Sequence, residues 1–123
     1  MRSLLTLLLI PAAAMAQGQM PTEFPADAAP IAADALRERL AGKVFNVQPF
    51  TGPSWRLEYK PNGYAFLDTS AGFRDTGKWR AEDSKLCSDW QKATSGCGEV
   101  RVKGDSIYIK RSSNGEVVTF SQR

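Results

Sequence analysis

From Gly42 to the last residue, apolar and polar side chains alternate in short runs that turn residues break about every eight to twelve positions. A period of two, with β-branched and aromatic residues on the apolar beats, is the pattern of half-buried antiparallel strands. It predicts about eight of them, near 43–49, 54–60, 64–69, 73–81, 85–90, 97–103, 106–112 and 116–122. Upstream the period changes. Pro30 suits the first turn of a helix, Asp34 puts negative charge near its N-terminus, Leu36 and Leu40 fall four apart, and Gly42 suits the position after the last turn. Residues 30–41 therefore read as one short amphipathic helix, a lid or plug against a sheet, because so short a helix is marginal in water by itself. The expected fold class is all-β, an antiparallel meander of about eight strands closing into a small barrel, preceded by that helix.

The turns carry register information. "VKGDSI" closes on Gly104-Asp105 and pairs Val102 with Ile107 and Val100 with Ile109. "SSNGEV", read as a two-residue Asn114-Gly115 turn, pairs Ile109 with Phe120 and Arg111 with Val118. Both place Val100, Val102, Ile107, Ile109, Val118 and Phe120 on one face, with Arg101, Tyr108, Lys110 and Thr119 on the other. Centring "RAEDSKL" on Asp83-Ser84 pairs Ala81 with Leu86, turns Trp79, Leu86 and Trp90 inward, and leaves Cys87 outside with Lys78 and Arg80. "YKPNGYA" admits two registers. A two-residue Asn-Gly turn pairs Tyr59 with Phe66, whereas a type I turn with Pro61 second and Gly63 as a left-handed bulge pairs Lys60 with Tyr64 and Leu57 with Leu67. The proline favours the second, which puts Tyr64 and Phe66 outside, as a binding strip or, preferably, as the dock for the helix.

The N-terminus adds a compartment. Arg2, the apolar run Leu4–Ile10 and the small-x-small triplet Ala14-Met15-Ala16 form a secretory signal peptide over 1–16. Residues 17–29, "QGQMPTEFPADAA", have no apolar period and read as a mobile leader to a single domain at 30–123. Without Arg2 the 16 basic residues become 15 against 13 acidic ones, a net charge of about +2 with the signs interspersed. That is a solvated surface and gives no basic field for nucleic acid. No second apolar run is long enough for a transmembrane helix. Cys87 and Cys97 are the only cysteines. In an exported chain they read as a disulfide, which the chain-entropy treatment of so short a loop credits with about 2.8 kcal/mol.

Candidate chemistry is narrowed mostly by what is missing. There is no histidine to activate a serine or cysteine, no Cys-x-x-Cys, no zinc ligand set and no glycine-rich loop opening a helix. No cofactor or metal is expected. Asp68 and Asp75 across "DTSAGFRD" could serve as a carboxylate pair, although the pattern buries neither. Binding suits a small barrel better: Trp55, Tyr59, Tyr64, Phe66 and Trp90 are the candidate ligand contacts, and Trp79 is read as packing. The loop between the cysteines, with Gln91, Lys92 and Thr94, is a candidate surface for a protein partner.

"LAGKVF" at 40–45, "YKPNG", "DTGKWRAEDSKLCSDW" and the later "CGEV" resemble small secreted bacterial domains of unknown function with a lipocalin-like β-barrel. The matching positions are Gly77, Trp79, Leu86, Cys87, Trp90 and Cys97, within a resemblance spanning about 36–123. It implies a lipocalin-like barrel and names no activity. The expectation is thus an exported, periplasmic or secreted, non-enzymatic protein that binds a small apolar ligand or an envelope protein. An inhibitor of an exported hydrolase such as lysozyme is the alternative, and an envelope hydrolase using the two aspartates is third.

Overall fold

A computed structural model describes residues 18–123. The expected signal peptide, together with Gln17, lies outside the described residues.

The strands are β1 (Lys43–Val47), β2 (Trp55–Tyr59), β3 (Tyr64–Thr69), β4 (Arg74–Glu82), β5 (Lys85–Trp90), β6 (Gly96–Lys103), β7 (Ser106–Lys110) and β8 (Val117–Gln122). Each pairs antiparallel with the next, and β1 pairs back onto β8 through Phe45 with Gln122 and Asn46 with Ser121, so the sheet closes into an eight-stranded barrel. Closure pairs the first and last strands, the two edges that an open sheet would leave for another chain. The apolar beats point inward as their period requires. Phe45, Val47, Leu57, Tyr59, Ala65, Trp79, Leu86, Val100, Ile107, Ile109, Val118 and Phe120 form one core. Inside it Tyr59 meets Trp79 edge-on at 5.3 Å between ring centroids, and Phe45 lies 5.5 Å from Phe120.

Three turns hold the register read from their residues. Val102 faces Ile107 across Gly104-Asp105, and Ala81 faces Leu86 across Asp83-Ser84. The ambiguous hairpin takes its bulged form: Leu57 faces Leu67, Gly63 sits at φ +96°, and its N–H donates to the Lys60 carbonyl at 3.1 Å. The Asn-Gly hairpin does not close on two residues. Ile109 faces Val118 and Ile107 faces Phe120, because Ser112–Gly115 form a four-residue loop with Arg111 and Glu116 at its base. A two-residue type I′ turn needs positive φ at both positions. Gly115 has it (φ +78°) and Asn114 does not; instead the Asn114 Oδ1 accepts the Glu116 N–H at 3.0 Å. The shift is two residues, so every side chain keeps its expected face.

Helix α1 (Ala33–Leu40) does not dock on Tyr64 and Phe66. It lies across the barrel end where the β2–β3, β4–β5 and β6–β7 turns gather, with Leu36 and Leu40 fully buried in the core. Its own N-cap, Ala32, offers no side-chain acceptor. The β4–β5 turn supplies one: Asp83 Oδ1 accepts the Ala33 N–H at 2.9 Å, and Ser84, in a left-handed conformation (φ 54°), accepts the Ile31 N–H at 3.0 Å. Arg39 reaches the Gly104 carbonyl at 3.0 Å, and the Arg37 guanidinium lies 5.5 Å from the centroid of Trp79. The docking surface comes from three turns, and no single exposed apolar strip announces it in the sequence.

The segment expected to be a mobile leader runs along the outside of β6–β8. Pro21 accepts the Val117 N–H, Phe24 lies against both Arg101 and Lys110, and Ala29 exchanges two backbone hydrogen bonds with Val102 at 2.8 and 2.9 Å. It thereby pairs with the part of β6 that β5 does not reach, since the β5–β6 pairing ends at Lys85 and Glu99.

Candidate functional site

The end of the barrel opposite α1 is open. A cavity of about 450 Å³ descends there between the β3–β4, β5–β6 and β7–β8 loops and the start of β2. Trp55, Phe73 and Trp90 stand at its mouth, Leu57 and Leu67 line its walls, and Tyr59, Leu86 and Phe120 lie deepest. Its volume lies within the range of about 300–1,000 Å³ that ligand pockets occupy. Burial raises the Tyr59 phenol above its ordinary pKa, so the deep end carries no charge.

Local sequence sets the packing around the cavity. Trp90 faces Gly77 across β4–β5, and a Cβ at Gly77 would collide with the Asp89 carbonyl and come within 2.9 Å of Trp90 Cε3. Likewise a Cβ at Gly98 would lie 2.9 Å from Ile109 Cγ2. The space at both glycines is thus already filled by neighbouring strand atoms, which lets Trp90 and Ile109 pack closely there, while Ser88, inward beside Trp79, puts only a small side chain into the cavity. Below them Trp79 is packing, as expected: it is buried and its Nε1 donates to the Lys60 carbonyl at 2.9 Å.

Of the candidate ligand contacts, the structure brings together Trp55, Tyr59 and Trp90. Tyr64 and Phe66 are on the outer face, where Tyr64 is 43% exposed and Lys78 Nζ lies 5.7 Å from its ring. They have no part in the cavity. The loop candidates divide: Thr94 lines the cavity, whereas Gln91 and Lys92 border an outer polar groove. Cys87 and Cys97 are directly opposed on β5 and β6 and joined as the expected disulfide, which ties together the two strands that carry the loop.

Asp75, read as unburied, is 6% exposed. Its Oδ2 accepts the N–H groups of Ala93 (2.7 Å) and Lys92 (2.9 Å), and its Oδ1 that of Thr76 (2.8 Å). Desolvation alone would raise its pKa; the three amides and the nearby Lys92 ammonium more than offset this and hold the carboxyl below its ordinary range. Asp68 is engaged elsewhere, with Arg74 at 2.9 Å and Arg56 at 3.7 Å. Asp75 is the cross-strand partner of Leu67 and Asp68 that of Arg74, so strand alternation starts the two side chains from opposite faces, although both residues border the outer polar groove.

The residue missed in the sequence is Arg111. It lines the mouth, its guanidinium lies 4.7 Å from the Trp55 centroid, and its Nη1 donates to Glu116 Oε1 at 2.9 Å. Glu116, only 3% exposed, also accepts the Phe50 N–H through Oε2. The signal was present: Arg111 stands two beyond Ile109 on the inward parity, where a charge has no reason to be unless something polar meets it. Among the described residues no cluster of side chains suited to a metal ion occurs, and no helix is long and apolar enough to cross a membrane. No protein-family model matches the chain, and comparison with curated proteins and with solved structures found no significant match.

Proposed function

We propose that this is an exported, non-enzymatic binding protein of the bacterial envelope that holds a small, largely apolar ligand in the mouth of its barrel. The observation that carries the reading is the open cavity of about 450 Å³, walled by Trp55, Leu57, Leu67 and Trp90 and closed below by the buried aromatic cluster. A protein built only for rigidity would gain stability by filling that space with side chains. The secretory pattern at 1–16, the disulfide, and the resemblance to small secreted lipocalin-like domains support export. Opposite facing and full engagement of Asp68 and Asp75 weigh against a carboxylate pair.

The test is binding of the neutral fluorophore N-phenyl-1-naphthylamine to the wild-type chain and to Ser88→Phe, which fills the cavity from within. The expected result is saturable binding that weakens about tenfold or more in the variant, the worth of losing a buried ring contact. Equal affinity for a folded Ser88→Phe would show that the probe sits elsewhere and would refute the reading. A second reading, in which the loop 91–96 engages an exported hydrolase, draws on the pinning of that loop by Asp75. The same variant separates the two, because inhibition through the loop's outer surface survives filling of the cavity.

A further inference from the structure

Resting on that reading, we infer that the ligand is an organic anion: an apolar body inside the barrel and a carboxylate, or a like acidic group, held at the mouth by Arg111. Nineteen residues line the cavity, and Arg111 is the one charged side chain among them. Its contacts among the described residues are the Trp55 ring and a single hydrogen bond from Nη1 to Glu116. A guanidinium has five N–H donors in a planar fork, so the Nε–Nη2 side of the fork is left to donate two parallel bonds to the oxygens of a planar acid.

Placement and pre-organisation both favour this occupant. Arg111 follows β7 directly, and its inward parity aims it over the opening. Trp55 supports one face of the guanidinium and the buried Glu116 fixes one edge, so little side-chain freedom is lost when a ligand arrives. Glu116 balances the charge at long range without consuming the remaining donors. Just outside the rim, Lys92 on the outer groove has its Nζ 5.8 Å from the ring of Phe73, a lining residue, and donates to the Arg74 carbonyl at 3.2 Å. The acidic groups nearest the rim are already taken, Glu116 by Arg111 and Phe50, and Asp75 by three backbone amides. An anion approaching the mouth therefore meets the Arg111 donors, and a cation meets no carboxylate among the lining residues. A neutral apolar molecule would leave the fork to water.

The experiment compares two probes with one skeleton, neutral N-phenyl-1-naphthylamine and anionic 8-anilino-1-naphthalenesulfonate, and asks for the ratio of their affinities. Removing Arg111 alone would strand a buried carboxylate, so the informative variant is the double change Arg111→Gln with Glu116→Gln, which keeps an acceptor for the Phe50 N–H. The ratio in favour of the anion should fall about tenfold in the double variant, as loss of a charged hydrogen bond predicts, and should fall less in Arg111→Lys, which keeps the charge and loses the fork. Decanoate should displace the neutral probe from the wild type more effectively than decanol does, with the difference narrowing in the double variant. An unchanged ratio with intact, Ser88→Phe-sensitive binding of the neutral probe would overturn the anion assignment and leave the cavity reading standing. Absence of cavity binding by either probe would overturn both.

Discussion

Asp75 lies inside the sheet and bonds to the backbone of a loop that the chain reaches 17 and 18 residues later. Neither its burial nor its partners could be read from "FRDTG", because they depend on how the β5–β6 loop folds back. The cost of burying the carboxylate is met by three N–H donors, the arrangement that lowers a carboxyl pKa. Asp75→Ala should leave the Lys92 and Ala93 amides without their acceptor and raise their hydrogen-exchange rates by about tenfold or more, from the loss of a hydrogen bond to a charged group. Unchanged protection would mean that the loop is held by other contacts. The pH dependence has a definite sign. The folded pKa lies below the ordinary value of 3.8, so the Asp75 contribution is complete above that value and is lost as pH falls through the lowered one. Loop protection should therefore persist to more acidic pH than an ordinary aspartate would allow, which exchange measured across an acid series checks. Arg111 was missed for a different reason: its inward parity is a signal that something polar meets it, but only the four-residue β7–β8 loop reveals that this is Glu116.

At the scale of elements, legibility followed the chemistry of the turns. Where a turn constrains φ through glycine or proline, as in "KPNGY" and "KGDS", the register followed from the residues. At "SSNGEV" a side-chain hydrogen bond from the backbone to Asn114 competed with the tight turn and won, moving the pairing by two. The helix was legible as a helix and not as to its dock, because its cap and its seat are spread over residues 79–84 and 104. An eight-residue helix with no side-chain cap of its own owes its stability to that docking. Leu40→Ala should accordingly destabilise the whole domain by about 2–5 kcal/mol, as deletion of a fully buried leucine side chain does. Denaturant unfolding measures it. A loss below about 1 kcal/mol would show that the helix is an appendage and that the barrel end closes without it.

The whole molecule has polarity: one end is filled by α1 and the aromatic cluster, the other is an open mouth ringed by Trp55, Phe73, Trp90 and Arg111. Alternation in the sequence indicated that Trp55 and Trp90 face inward, and could not say whether the space between them is filled. That depends on the small side chain at Ser88 and on how far apart the strands stand. The three indole N–H groups report on this polarity directly. Trp79 belongs to the closed end, its Nε1 bonded to the Lys60 carbonyl, while Trp55 and Trp90 stand at the mouth. The most direct measurement is a titration of the ¹⁵N-labelled protein with N-phenyl-1-naphthylamine, following the three indole signals. The Trp55 and Trp90 signals should move together and saturate while that of Trp79 stays in place; three unmoved signals, or movement at Trp79 alone, would contradict a ligand site in the mouth of the barrel.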